Sequence, residues 1–128
     1  MKTTLLAAAG LIFSCQFAFS MSYDEALLNH SYFEHASVSS AYCERNNFST
    51  ASALANWQTA HQSLKTEMFR AIRLEMVRRG LQKPEQEEVL AKAIEMHRST
   101  AQKHNVNKPP QCKRFDLQLK MYSDLLVR

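Results

Sequence analysis

Apolar residues recur every three or four positions along most of the chain after residue 20, which is the spacing of one helix face. The clearest run predicts a single long helix over residues 50–79. Its stripe contains Leu54, Trp57, His61, Leu64, Met68, Ile72 and Met76. Gly80 then favours a left-handed residue at the helix end. At about 1.5 Å per residue this helix would be roughly 45 Å long, so we expect it to bend or to overhang its neighbours.

The preceding segment predicts a first helix. Ser22 and Glu25 have the spacing of a capping box, in which each side chain accepts a hydrogen bond from the other residue's amide. A loosely apolar side follows, and the pattern fades at Asn46 and Asn47, where we expect the helix to end.

Two more helices are predicted after Gly80. Pro84 suits a first-turn position and begins the third helix. The stretch 105–110 contains two prolines and interrupts the helical pattern. Apolar residues with helical spacing resume over 112–126, which predicts the fourth helix. Four helices joined by short turns predict an all-α, antiparallel up-down-up-down four-helix bundle. Residues 21–128 form a single domain in this prediction.

The first twenty residues predict a signal peptide. Lys2 gives a positive start, an apolar run follows, and Ala18 and Ser20 place small residues before a cleavage near Met21. The run is too short to span a bilayer, so we expect no stable membrane insertion and a periplasmic or secreted product. In a rival interpretation Cys15 is a lipidated first residue, although Phe13 fits that processing poorly.

Cysteine usage agrees with export. Cleavage would remove Cys15 and leave Cys43 and Cys112, which can pair only with each other in an oxidising compartment. The end of the first helix and the start of the fourth lie at the same pole of an up-down-up-down bundle. The predicted topology therefore brings the two cysteines together.

The net charge is mildly positive, +4 for the full chain and +3 once Lys2 is removed. Such a balance gives no reason to expect a nucleic-acid partner. Four arginines are concentrated late in the second predicted helix: Arg70, Arg73, Arg78 and Arg79. They are interleaved with glutamates, which is typical of a solvated face, and they are also the predicted partner-binding residues.

Histidines are the candidate metal ligands. His61 and His97 lie on apolar stripes, and His104 follows His97 by seven residues on the same side of its helix. Inward imidazoles could bind a metal or haem iron between helices, but a packing role is the more common one for such residues. His30 and His35 are predicted to lie on the surface.

The sequence contains no catalytic signature. It has no nucleophile-elbow motif, and the single glycine after residue 20 cannot build a phosphate-binding loop. We therefore expect no enzyme activity and no cofactor. The favoured hypothesis is a small exported protein that binds another protein in the cell envelope, as an inhibitor, an immunity protein or an envelope accessory factor. The alternative is a metal or haem carrier that uses the inward histidines.

Overall fold

A computed structural model describes residues 20–105 and 108–128 of the chain. The signal-peptide prediction and the question of a lipidated Cys15 fall on residues 1–19, outside the described residues. Within the described residues all regular structure is helical, as predicted. The helices are α1 (Tyr23–Arg45), α2 (Ala51–Ala60), α3 (Gln62–Arg78), α4 (Lys83–His104), α5 (Pro109–Cys112) and α6 (Phe115–Leu125).

The predicted start of the first helix is confirmed. The Glu25 amide donates to Ser22 Oγ over 3.2 Å, and the Ser22 amide donates to Glu25 Oε2 over 2.8 Å, so both halves of the capping box form. The two capping-box bonds satisfy amides that the first turn leaves without helical partners. At its other end the helix stops at Arg45, one residue before the predicted stop.

The long helix predicted over 50–79 is two helices, α2 and α3, with an interruption at His61 (φ −107°, ψ 18°). The His61 amide still donates to the Trp57 carbonyl over 3.1 Å. Because this helical hydrogen bond is kept, the interruption is a bend between α2 and α3 and not a loop. At the far end Gly80 is left-handed (φ 79°), as predicted. The Leu81 amide donates to the Met76 carbonyl, which gives α3 a Schellman ending.

Helix α1 is the centre of the arrangement, because every other helix contacts it. It runs antiparallel to α2 and α3, since Thr50 bonds Ser40 at one end and the Arg79 guanidinium lies over the Tyr23 ring at the other. The most extensive packing joins α1 to α3 and α4.

Helices α4 and α6 contact α1 but make at most a marginal contact with each other. In a regular up-down-up-down bundle these two consecutive long helices would be neighbours. Their separation leaves α1 as the floor of an opening between them. This opening forms the site described below.

The core is built around the aromatic rings of α1, α2 and α6. Trp57 lies 5.0 Å from Phe33 and 6.4 Å from Tyr122, measured between ring centroids. Only 7% of Trp57 is exposed, so its ring belongs to the core. Trp57 therefore holds α2 against both α1 and α6.

The predicted cysteine pair is confirmed at disulfide distance. The sulfurs of Cys43 and Cys112 are 2.07 Å apart and their Cα atoms 5.5 Å apart. This bond joins the last turn of α1 to Cys112 of α5, three residues before α6 begins. No helix within residues 20–105 and 108–128 combines the length and apolar character needed to cross a bilayer.

Candidate functional site

The four predicted partner-binding arginines all have carboxylate partners. Arg70 forms two bonds with Glu67, and Arg73 bonds Glu87 of α4. Arg78 and Arg79 share Glu75, whose pKa is lowered to about 2 mainly by the hydrogen bond from Arg78. The positive charge predicted for this surface is therefore largely compensated within the protein.

Two exposed apolar residues, Leu74 and Val77, share that side of α3 with the arginines. We call this surface the arginine face: Arg70, Arg73, Leu74, Val77 and Arg78. It is convex, since it lies on the outside of a single helix.

The structure does not bring the three candidate metal ligands together. His61 contacts Ser123 of α6, His97 contacts His30 of α1, and His104 lies at the exposed end of α4. Among the described residues, no group of three or more His, Cys, Asp or Glu side chains is arranged to hold a metal ion.

The prediction that His30 lies on the surface is wrong, because only 4% of the residue is exposed. Helix α1 is covered on several sides, so α4 and the Phe69 ring of α3 bury an imidazole that its own helix would leave at a polar edge. His30 Nδ1 lies 2.6 Å from His97 Nδ1, and the two rings share one proton. His30 Nε2 faces Glu34 Oε1 at 3.7 Å, which favours the proton on that nitrogen and makes His97 the donor.

Burial disfavours the charged form of both imidazoles of this pair. Burial, followed by the nearby charges of His97, Lys65 and Arg98, lowers the pKa of His30 to about 4. Burial is also the main cause that lowers the pKa of His97, against a raising contribution from Glu34. Protonation of either ring would place a charge in the contact between α1 and α4.

We expect the protein to lose stability as the pH falls from about 6.5 to about 4. In that interval the unfolded chain protonates its histidines while folded His30 stays neutral, so the free energy of unfolding falls by roughly 3 kcal/mol. Urea denaturation at a series of pH values measures this. The double variant His30→Gln/His97→Gln should lose most of the slope, whereas the exposed His104→Gln should keep it. An unchanged slope in the double variant would show that the pair is not its source.

A serine and a histidine also meet beside the core, a contact that the sequence did not indicate. Ser123 Oγ accepts from Trp57 Nε1 over 2.8 Å, lies 3.0 Å from His61 Nε2 and donates to the Leu119 carbonyl over 3.1 Å. Because the Ser123 hydroxyl donates its proton to the Leu119 carbonyl, it accepts hydrogen bonds from Trp57 Nε1 and from His61 Nε2. His61 is therefore a donor in this contact and not a base. This contact fastens the interruption between α2 and α3 to α6.

The opening between α4 and α6 is a groove of about 430 Å³, a volume in the range of ligand-binding clefts. We call it the α4–α6 groove. His35 of α1 lies in it, His104 and Arg114 stand at one end, and Leu117 and Met121 of α6 form an apolar wall. The described lining contains no carboxylate.

The apolar wall continues along α6 as a stripe, defined by Leu117, Met121 and Leu125. These residues are 55%, 50% and 46% exposed. They are spaced by four and lie outside the buried row of Phe115, Leu119 and Tyr122. Leu28 of α1 is exposed as well, two turns before His35 on the same side of its helix. Exposed apolar side chains grouped along one helix face are typical of a contact site.

Sequence reasoning missed the groove, although its apolar stripe was present in the printed sequence. Residues 117, 121 and 125 are spaced like one helix face, as the buried row of α6 is, and spacing alone does not show which row faces the core.

No protein-family model, curated protein or solved structure matches the chain.

Proposed function

We propose that the protein acts by binding another protein, and that the α4–α6 groove is its contact surface. The observation that carries the proposal is the exposed stripe of Leu117, Met121 and Leu125 beside a concave opening. Covering exposed apolar side chains with a partner removes them from water and so favours the complex over the separate proteins.

The groove supports this function better than the arginine face does. On the arginine face each guanidinium already bonds a carboxylate of the same chain, and a partner would have to compete with that carboxylate. In the groove, Arg114 takes part in none of the ion pairs found among residues 20–105 and 108–128. The groove therefore offers both apolar area and an uncompensated positive charge.

We further propose that this binding takes place outside the cytosol, in the periplasm or beyond. The Cys43–Cys112 pair supports the proposal, because disulfides persist in oxidising compartments. Examples of the proposed function are an inhibitor, an immunity protein and an envelope accessory factor, each of which acts by binding another protein.

Site-specific photocrosslinking in the native cell envelope tests the contact surface. A photoreactive residue at position 121 should give a discrete protein adduct, because Met121 is half exposed in the centre of the stripe. The same residue at position 96 is the matched control, since Met96 is 56% exposed and does not line the groove. Adducts at position 74 but not at 121 would assign binding to the arginine face instead.

A further inference from the structure

The chemistry of the α4–α6 groove restricts its occupant. This step rests on the proposed function, and it concerns what kind of protein segment the groove accepts. Three features are relevant: the apolar wall, the positive end and the backbone of the surrounding helices.

The apolar wall sets the length and spacing of the occupant. Leu117, Met121 and Leu125 rise along one side of α6 by about 6 Å per step, roughly 12 Å in total. This distance corresponds to about two turns of a second helix lying along the groove. An apolar row at positions i, i+4 and i+7 of such a helix would meet the stripe.

The positive end sets the charge of the occupant. Arg114 is exposed at the start of α6, and His35 and His104 also line the groove. The charge of His104 contributes to the lowered pKa of His35, after burial, which agrees with the closeness of the two rings. With no carboxylate in the described lining, a carboxylate from a partner would find a positive end that nothing in the groove already neutralises.

The backbone of the surrounding helices offers no strand edge to an extended occupant. Helices satisfy their own amides and carbonyls internally, so α1, α4 and α6 offer no edge with which a strand could pair. A helix brings its own backbone hydrogen bonds and needs only side-chain contacts.

We infer that the α4–α6 groove binds an amphipathic α-helix of a partner protein, with an apolar row against Leu117 and Met121 and an acidic residue against Arg114. The acidic residue fixes the direction of the bound helix, because Arg114 lies at the start of α6, before the apolar stripe.

A pair of synthetic peptides tests this inference on the oxidised protein. Both are amphipathic helices of about 15 residues with the same leucine row; one carries glutamates beside the row and the other carries lysines. In fluorescence anisotropy, we expect the glutamate peptide to bind at least about tenfold more tightly, a difference of about 1.4 kcal/mol.

Two charge variants locate the effect. Arg114→Glu should remove the preference for the glutamate peptide. Lys92→Glu makes the same change in net charge at an exposed position of α4 that does not line the groove, and it should keep the preference. Equal binding of both peptides, or equal responses of the two variants, would overturn the inference.

Other occupants give distinct results. A dimer seen by sedimentation and dissociated by Met121→Asp would assign the groove to a second copy of this chain and overturn the helix proposal. If a crosslinked adduct forms at position 121 but the glutamate peptide binds no more tightly than the lysine peptide, the proposed function stands and the inference of an acidic helix is wrong. If neither the crosslink nor the peptide binding occurs, the groove is not the contact surface.

Discussion

Reduction of the Cys43–Cys112 pair is expected to lower the free energy of unfolding by about 4 kcal/mol. The bond closes a loop across 69 positions of sequence, and a loop of that length loses roughly this much conformational freedom in the unfolded chain. A domain of this size has a total stability of about 5–15 kcal/mol, so the change is a large part of the whole. Chemical denaturation of the protein, with and without a reductant, measures it.

The double variant Cys43→Ala/Cys112→Ala is the control for side effects of the reductant. It should match the reduced protein in stability and should not respond to reductant. Complete unfolding of the reduced protein at room temperature would agree with an effect of this size or larger. A change of less than about 1 kcal/mol would show that the disulfide is not a main source of stability.

Truncation of the core tryptophan is expected to cost about 3–5 kcal/mol. Trp57→Ala removes the ring that packs against Phe33 and Tyr122 and leaves a cavity where α1, α2 and α6 meet. It also removes the indole N–H that donates to Ser123. The midpoint of urea denaturation, compared with that of the unchanged protein, gives the loss.

Two variants separate the contributions at this position. Trp57→Phe keeps most of the ring and loses the hydrogen bond, so it should cost about 1–2 kcal/mol. Leu117→Ala truncates an exposed side chain of α6 and should change stability by less than about 0.5 kcal/mol. If Trp57→Ala were no more harmful than Leu117→Ala, the description of the core would be wrong.

Helix ends could be predicted from the sequence because their signals are local. The Ser22–Glu25 capping box and the left-handed Gly80 each depend on residues within one or two turns. Pro84 likewise lies in the first turn of its helix, as expected. The cysteine pairing was predictable for a different reason, since only two cysteines follow the proposed leader.

A bend in so long a helix was expected, but its position at His61 could not be predicted from the local sequence. Ser123 of α6 bonds both Trp57 and His61, and it does so only after the helices have packed. The burial of His30 is similar. His30 is a polar residue of α1 that becomes buried when α3 and α4 pack over it. The apolar pattern of α1 does not indicate that contact.

The groove depends on which helices fail to touch. Helices α4 and α6 were expected to be neighbours in a regular bundle, but they make at most a marginal contact, and Leu117, Met121 and Leu125 are exposed. Spacing along the sequence identifies an apolar row but not its partner. For the same reason the sequence shows four arginines but not that Glu67, Glu75 and Glu87 compensate their charges, because those ion pairs depend on side-chain geometry.

The most direct test of the account is the dissociation constant of the crosslinked partner for variants of the two candidate surfaces. Met121→Asp places a charge in the centre of the apolar stripe and should weaken binding at least about tenfold. Leu74→Asp makes a comparable change on the arginine face at a residue of similar exposure, 52%, and should leave the constant within about twofold. Unchanged binding by Met121→Asp, together with a loss on Leu74→Asp, would contradict the assignment of the α4–α6 groove as the contact surface.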